Sequence, residues 1–154
     1  MLKWIAGILT NGPYYIRINR GRIAVRNVSS GNYFECGTVV GVDGSDRVVS
    51  VGLPVSPDAV SKSNPFDHPR LLVSDFALAD KAFSYVVKMA ARDSYFQPSP
   101  IIVVHPDVEL EGGLSPVEAR VLRELSESAG ARKTYIHYGH MLSDDEVKTI
   151  ASAA

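Results

Sequence analysis

The chain has 154 residues, a length typical of one domain and sufficient to bury a proper core. Its composition is close to the globular average, and a net charge of −1 gives no reason to expect nucleic acid as a partner. The single cysteine, Cys36, excludes an internal disulfide and fits a reducing compartment, so we expect a cytoplasmic protein in which Cys36 is a small residue within a strand.

The first third of the sequence predicts an antiparallel meander. Apolar Ile23 and Val25 alternate with Arg22, Ala24 and Arg26, the period of a half-buried strand. Turns rich in glycine, asparagine and aspartate separate the apolar runs. We predict four strands, over residues 14–18, 22–28, 33–42 and 47–51.

Residues 53–69 are rich in proline, serine, aspartate and asparagine. This composition predicts a loop that is unusually long for a compact domain. The loop is therefore either functional or a place where a larger insertion has been reduced.

The second half alternates helices and strands. A helix is predicted from Ser74 or Asp75, either of which can cap its free N–H groups. Its apolar face is predicted to hold Phe76, Ala79, Phe83, Val86 or Val87, and Ala90. A β-branched run at 101–104, between prolines, indicates a strand that is covered on both faces.

The next helix has clear start and stop signals. Ser115 is the predicted N-cap, Pro116 takes the first helical position, Glu118 completes a capping box and Gly130 ends the helix. Its predicted apolar face is formed by Val117, Val121, Leu122 and Leu125. A last strand is predicted over 134–138, and the acidic residues at 143–146 open a short terminal helix.

These elements predict an α/β fold. A right-handed crossover between the last two strands makes them a parallel pair. The result is a mixed sheet in which an antiparallel meander is extended by two parallel strands, with helices on the faces.

Several segments resemble the MreB family of bacterial actin-like rod-shape-determining proteins. They are Met1–Lys3, Arg47–Gly52, His68–Phe76 and, as the longest match, Pro98–Tyr138. The resemblance covers only the first domain of the family. It implies the actin-like ATPase (ribonuclease H-like) fold with sheet order 3-2-1-4-5, arranged as an amphipathic segment at 1–12 and a single subdomain at 13–154 with a reduced insertion at 53–69.

The resemblance breaks down at the nucleotide motifs. Where the family has Asp-Leu-Gly-Thr for metal and phosphate, this chain reads Arg17-Ile18-Asn19-Arg20-Gly21. An arginine facing magnesium would repel it, so we expect no metal, no cofactor and no ATPase activity. Glu118 matches the family glutamate that positions the attacking water, although a capping box alone explains a glutamate there.

The amino-terminal segment is predicted to touch a membrane. On a helical wheel Leu2, Trp4, Ile5, Ile8 and Leu9 form one apolar arc, and Lys3 lies on the other side. The alternative is that this segment packs on the surface of the protein itself.

Two further groups of side chains are candidates for binding. Arg17, Arg20, Arg22 and Arg26 place four positive charges around the first hairpin, either as a solvated strand face or as a contact for an anion or a partner. His105, His137 and His140 raise the alternative of a metal site, but the MreB resemblance places no metal ligand there and we predict none.

These observations together predict a non-enzymatic, MreB-like cell-shape protein that acts through contacts. Its expected partners are a full-length actin-like filament protein, a second copy of itself, or the inner face of the cell membrane. The alternative is an actin-like ATPase subunit whose nucleotide site is completed by another chain, with Glu118 as its catalytic residue.

Overall fold

The structure is a computed structural model that describes residues 12–92 and 99–153. Its strands are β1 Tyr14–Ile18, β2 Arg22–Asn27, β3 Tyr33–Gly37, β4 Val40–Val42, β5 Val48–Val51, β6 Ser61–Ser63, β7 Ile101–Pro106 and β8 Lys133–Ile136. Its helices are α1 Phe76–Ala90, α2 Pro116–Ser128 and α3 Asp144–Ser152. The predicted alternation of helix and strand in the second half is therefore present.

The larger sheet has five strands in the order β3-β2-β1-β7-β8. β1, β2 and β3 are antiparallel neighbours, whereas β7 pairs in parallel with β1 on one side and β8 on the other. This arrangement confirms the mixed sheet that the sequence predicted and the strand order that the MreB resemblance implied.

The main core lies between one face of this sheet and the helices α1 and α2. Ile16 and Ile18 of β1 are fully buried there against Phe83 of α1 and against Leu122 and Leu125 of α2. Complete burial of one such side chain contributes about 1.5–3 kcal/mol. This face therefore supplies most of the hydrophobic stabilisation of the fold.

The opposite face of the sheet is only partly covered. Tyr15 and Val103 form a small buried cluster with Leu142 and Val147, which belong to α3 and the segment before it. The β1–β3 half of this face keeps polar side chains at the surface, among them Tyr33, which is 46% exposed.

A second sheet contains three strands in the order β5-β4-β6. The predicted single strand over 33–42 is therefore wrong, because β3 and β4 belong to different sheets. The hydroxyl of Thr38 donates to the Arg20 carbonyl, and the Gly52 N–H bonds to the Val39 carbonyl, so that the chain leaves the first sheet at this point. The predicted fourth strand of the meander, at 47–51, is likewise in the second sheet, and β6 lies inside the predicted loop at 53–69.

The helix caps follow the predicted residues. Asp75 caps α1 through a bond from the Leu78 N–H, and Ser115 caps α2 through a bond from the Glu118 N–H. Ser143 and Glu146 form a complete capping box on α3. Two predicted core positions are wrong, because Phe76 is 42% exposed and Val117 is 72% exposed. Both residues lie in the first turn of their helix, beyond the part that packs on the sheet.

Candidate functional site

A cleft of about 310 Å³ opens at the carboxyl ends of β1 and β7, the central parallel pair of the larger sheet. Ligands of open α/β sheets commonly bind at this edge. The lining side chains belong to the β1–β2 turn, the segment after β7, α2 and the loop at 66–72, and they include Asn19, Arg20, Glu109 and Glu118. This cleft is therefore the first candidate for a ligand site.

The β1–β2 turn bonds to its own amide groups. Asn19 Oδ1 accepts hydrogen bonds from the N–H groups of Gly21 at 3.0 Å and Arg22 at 2.8 Å. The Asn19 N–H in turn donates to the Arg22 carbonyl at 2.9 Å. A phosphate held at such a turn would need free backbone N–H groups. Three of these donors are already occupied within the turn.

Arg20 connects the turn to the rest of the molecule. Its carbonyl oxygen accepts hydrogen bonds from the Asn64 side-chain amide at 2.8 Å and from the Thr38 hydroxyl at 3.0 Å. Its side chain lines the cleft, which also contains the carboxylates of Glu109 and Glu118. The turn is thus fixed in place, and Arg20 adds a positive charge to the cleft that Glu109 and Glu118 line.

Glu118 forms only half of the predicted capping box. Its backbone N–H donates to the Ser115 hydroxyl at 3.2 Å, but its carboxylate does not return a bond to the N-cap. Within the described residues, Glu118 Oε2 is buried and has no hydrogen-bond partner. Because a buried unpaired oxygen is costly, a cap alone does not explain this side chain. Its carboxylate lines the cleft instead.

The four arginines of the first hairpin do not form one cluster. Arg20 lines the cleft, whereas Arg17 and Arg26 line a separate hollow of about 400 Å³ on the opposite face of the sheet. Arg17 therefore does not lie in the cleft that Glu118 lines. The pleat of β1 sends Ile16 and Ile18 to the main core and directs Arg17 to the other face.

The arginines on this open face have neighbours of their own. Arg22 pairs with Glu35 at 3.1 Å and Arg26 pairs with Asp144 at 3.6 Å, while the Arg17 guanidinium contacts the sulfur of Met141. These exposed ion pairs are expected to contribute little to stability. The hollow between Arg17 and Arg26 is also lined by Ala24, Tyr33 and Asp144.

A hydrogen bond on the same face affects the pKa values of Glu35 and Tyr33. The Tyr33 hydroxyl donates to Glu35 Oε2 at 2.6 Å. That bond is the main cause that lowers the pKa of Glu35, whereas burial, followed by the Glu35 contact, raises the pKa of Tyr33. Glu35 therefore stays ionised and keeps its contact with Arg22.

The three histidines are placed together but serve the fold. His105 is fully buried, accepts a hydrogen bond from the Tyr15 hydroxyl at Nδ1 (2.6 Å) and contacts the Gly139 carbonyl with Nε2 (3.1 Å). The Tyr15 oxygen also accepts from the Leu142 N–H at 3.1 Å. This arrangement assigns the proton to Nε2, and burial, the largest cause, lowers the pKa of His105.

The other two histidines hold the segment between β8 and α3. The ring of His137 lies 4.9 Å from that of His105 and its Nε2 contacts the His140 carbonyl at 2.7 Å. His140 Nε2 contacts Glu146 Oε2 at 2.9 Å, which is the main cause that lowers the pKa of Glu146 to about 2. In residues 12–92 and 99–153 no group of three or more His, Cys, Asp or Glu side chains is arranged to hold a metal ion.

The predicted membrane-contacting residues Leu2, Lys3, Trp4, Ile5, Ile8 and Leu9 lie outside the described residues. Among the helices that the structure does describe, none has the length and apolar character needed to cross a bilayer. Membrane contact through the first nine residues thus stays a prediction.

Sequence reasoning did not identify the loop at 66–72 as a wall of the cleft. His68 Nδ1 accepts hydrogen bonds from the N–H groups of Arg70 and Leu71, at 3.1 Å and 3.0 Å, and so shapes this wall. The unusual length of the preceding proline- and serine-rich stretch was the one signal that pointed to it.

Comparisons with known proteins relate the chain to bacterial cell-shape proteins. No protein-family model matches it. It is 31% identical to the cell shape-determining protein MreB of Escherichia coli over 65 residues, which are 42% of this chain and 18% of that protein. It is 22% identical to MreB of Haemophilus influenzae over 84% of this chain and 32% of that protein. It is also 25% identical to MreB of Pasteurella multocida over 74% of this chain and 29% of that protein.

The fold comparison agrees with the sequence comparison. The chain superimposes on MreB5 of Spiroplasma citri bound to ADP with a TM-score of 0.61 and 9% identity, over 82% of this chain and 37% of that one. The AMPPNP-bound structure of MreB5 gives a TM-score of 0.59 with 10% identity, over 82% and 38% of the two chains. At such identities the likeness shows the fold alone. The chain thus has an actin-like, MreB-like fold and sequence, and its alignments span less than two-fifths of the MreB chains that it matches.

Proposed function

We propose that this chain is a cell-shape protein that works through contacts with an actin-like filament protein and does not hydrolyse a nucleotide. The observation that carries the proposal is the β1–β2 turn, whose Asn19 side chain occupies the N–H groups of Gly21 and Arg22. The MreB resemblance places the phosphate-binding backbone of the family at this turn. A turn that satisfies its own donors has little to offer a phosphate.

The cleft next to this turn supports the same interpretation. A magnesium–nucleotide complex needs carboxylates for the metal and free donors for the phosphates. The turn contributes Asn19 and Arg20 to the cleft, so a metal bound there would meet a guanidinium. Arg20, and not Arg17, is the arginine whose charge would oppose a metal in this cleft.

One observation favours the alternative of an ATPase subunit that another chain completes. Glu118 Oε2 is buried beside the cleft without a hydrogen-bond partner in the described part of the chain, and Glu118 matches the glutamate that positions water in the family. The two MreB5 structures contain ADP and AMPPNP. Glu118 is the residue that this alternative would require.

The proposed partners follow from the resemblance to filament-forming proteins. A full-length actin-like protein is the first, a second copy of this chain is the second, and residues 13–154 would act as one actin-like subdomain. The segment at 1–12 would bring this subdomain to the inner face of the cell membrane. These contacts need no cofactor.

Thermal unfolding with and without Mg·ADP or Mg·AMPPNP separates the two functions. A nucleotide at about 100 times its dissociation constant would add about 2.7 kcal/mol to the free energy of unfolding and raise the midpoint by several degrees. We expect no shift at millimolar nucleotide. A shift that Glu118→Gln alters and Arg123→Gln, an exposed substitution on α2 outside the cleft, does not would contradict the proposal and support the ATPase subunit.

A further inference from the structure

β5 is an edge strand whose free side opens onto a groove. Within residues 12–92 and 99–153 it pairs with β4 alone, and all four of its residues, Val48 to Val51, are half-buried. The groove has a volume of about 690 Å³, compared with about 310 Å³ for the cleft that Glu118 lines. Its other wall is α1, and the lining side chains beyond β5 are Asp80, Lys81, Ser84, Tyr85, Lys88 and Ser128. We call this feature the β5 groove.

The sequence of β5 sets it apart from the other edge strands of the described residues. β3 contains Glu35, β6 contains Lys62 and β8 contains Lys133, and such charges are the usual means by which an edge avoids pairing with another chain. β5 reads Val-Val-Ser-Val, with no charge and no proline. Among the strands that the structure describes, β5 is thus the edge without the charges that usually prevent pairing with another strand.

The wall of the groove supplies hydrogen-bonding and charged groups. Asp80 Oδ1 is buried and has no hydrogen-bond partner within the described residues, so this wall contains one polar atom whose bonding is not satisfied. Lys81 and Lys88 are exposed, lie two helical turns apart and line the groove together with Asp80. Because the cations outnumber the carboxylate, the groove is complementary to a segment that carries acidic side chains.

The same charges argue against a second copy of this chain as the occupant. A two-fold contact of β5 with β5 would bring the same patch of both copies together. Lys81 and Lys88 of each copy would then face those of the other, which is unfavourable. A partner of opposite charge avoids this repulsion.

We propose that the β5 groove binds an extended, acidic segment of a partner protein, which pairs with β5 as the fourth strand of the smaller sheet. Backbone hydrogen bonds to β5 would provide affinity, and Lys81 and Lys88 would select acidic side chains. The groove is separate from the cleft at Glu118, so this proposal stands or falls independently of the proposed lack of nucleotide chemistry.

The probe is an acetylated, amidated octapeptide of alternating valine and glutamate, with a valine–lysine peptide of the same length for comparison. Fluorescence anisotropy measures affinity, and amide hydrogen exchange of the intact chain locates the contact. We expect the glutamate peptide to bind at least about tenfold more tightly than the lysine peptide and to slow amide exchange within Val48–Val51.

Variants test the two parts of the groove separately. Lys81→Glu combined with Lys88→Glu is expected to lower the affinity for the glutamate peptide by about tenfold or more and to reverse the preference between the peptides. Val49→Lys places a charge on the edge and is expected to abolish strand pairing. Lys62→Glu makes the same charge reversal on β6, at the other edge, and is expected to change neither result.

Equal affinity for the two peptides, or slowed exchange elsewhere than in β5, would overturn the proposal. Slowed exchange of β5 that rises with protein concentration and occurs without peptide would assign the edge to a second copy and would also overturn it. If Val49→Lys does not fold, the variant that combines Lys81→Glu with Lys88→Glu tests the proposal by itself, since both of these positions are exposed.

Discussion

At the scale of single residues, the most distinctive feature is a buried polar chain between β1 and the segment that follows β8. The Leu142 N–H donates to the Tyr15 oxygen, the Tyr15 hydroxyl donates to His105 Nδ1, and His105 Nε2 contacts the Gly139 carbonyl. Each of the side-chain atoms in this series of hydrogen bonds has a partner, which is the condition under which buried polar groups stabilise a fold. The hydrogen bonds fix the segment before α3 onto the sheet.

His105 is expected to make stability depend on pH. Its folded pKa lies below the ordinary value near 6.5, and burial is the main cause. The unfolded chain therefore binds a proton as pH falls below about 6.5, while the folded chain does not, so the free energy of unfolding falls as pH drops towards the folded pKa. One such proton gives a slope of up to about 1.4 kcal/mol per pH unit, which denaturant unfolding between pH 7.5 and 5 would measure.

The variant His105→Gln should flatten this slope, because it removes the buried titrating group and keeps a donor for the Gly139 carbonyl. His140→Gln is the matched control, since His140 is exposed and lies beside Glu146. This substitution leaves the buried His105 in place, so the slope should persist. A slope that disappears in His140→Gln and persists in His105→Gln would contradict this interpretation.

Sequence reasoning could not have found this polar chain. Tyr15 and His105 are 90 positions apart, and their pairing depends on the parallel contact of β1 with β7. The direction of Arg17 was missed for a related reason. The side of the sheet on which the Arg17 side chain lies depends on which face of β1 meets the core. That face is fixed by the pairing of Arg17 with Ala24, which exists only in the folded sheet.

At the scale of elements, local chemistry predicted most of the boundaries. β1 has the predicted limits of 14 and 18, and Ser115 and Pro116 begin α2 where their capping chemistry placed it. The chain at 33–42 was predicted as one strand because its apolar and β-branched residues continue across Thr38. The break there depends on the bond from Thr38 to the Arg20 carbonyl, a contact between distant parts of the chain.

The polar strand β6 has no apolar pattern and left no signal in the sequence. It forms because β4 offers a second edge to Ser61–Ser63. The predicted loop at 53–69 therefore contains the strand β6, which can be recognised only from its pairing with β4.

The corrected face of α2 predicts a contrast between two apolar residues. Leu122 is fully buried between α2 and the sheet, whereas Val117 is 72% exposed. Leu122→Ala should lower the free energy of unfolding by about 2–5 kcal/mol, because it leaves a cavity in the main core. Val117→Thr should change it by less than about 0.5 kcal/mol, as is usual at exposed positions.

Chemical denaturation of both variants at one pH measures this contrast, and an unchanged denaturant slope shows that the two-state comparison is valid. A fall of several kcal/mol in the free energy of unfolding of Val117→Thr would contradict this contrast. It would mean that Val117 is part of the apolar face that the sequence predicted and has a contact that the described residues do not provide.

At the scale of the whole molecule, the five-stranded sheet and its order were predictable, since the MreB resemblance and the crossover rule pointed to the same topology. The cleft was predicted only in part. Glu118 was identified from the resemblance, but its unpartnered oxygen was not, because the sequence pattern suggested a complete capping box. The sequence likewise could not predict that Arg20 lies apart from Arg17 and Arg26, because their positions depend on the folded sheet.

Co-sedimentation with filaments of the full-length MreB-type protein of the same organism tests whether the chain works by contact. We expect the chain to enter the pellet in proportion to the filaments and to change the amount of polymer, with no increase in nucleotide hydrolysis above that of the filaments. Arg20→Gln should leave this behaviour unchanged if the cleft takes no part in it. A chain that stays in the supernatant and leaves the polymer unaffected would contradict the contact function.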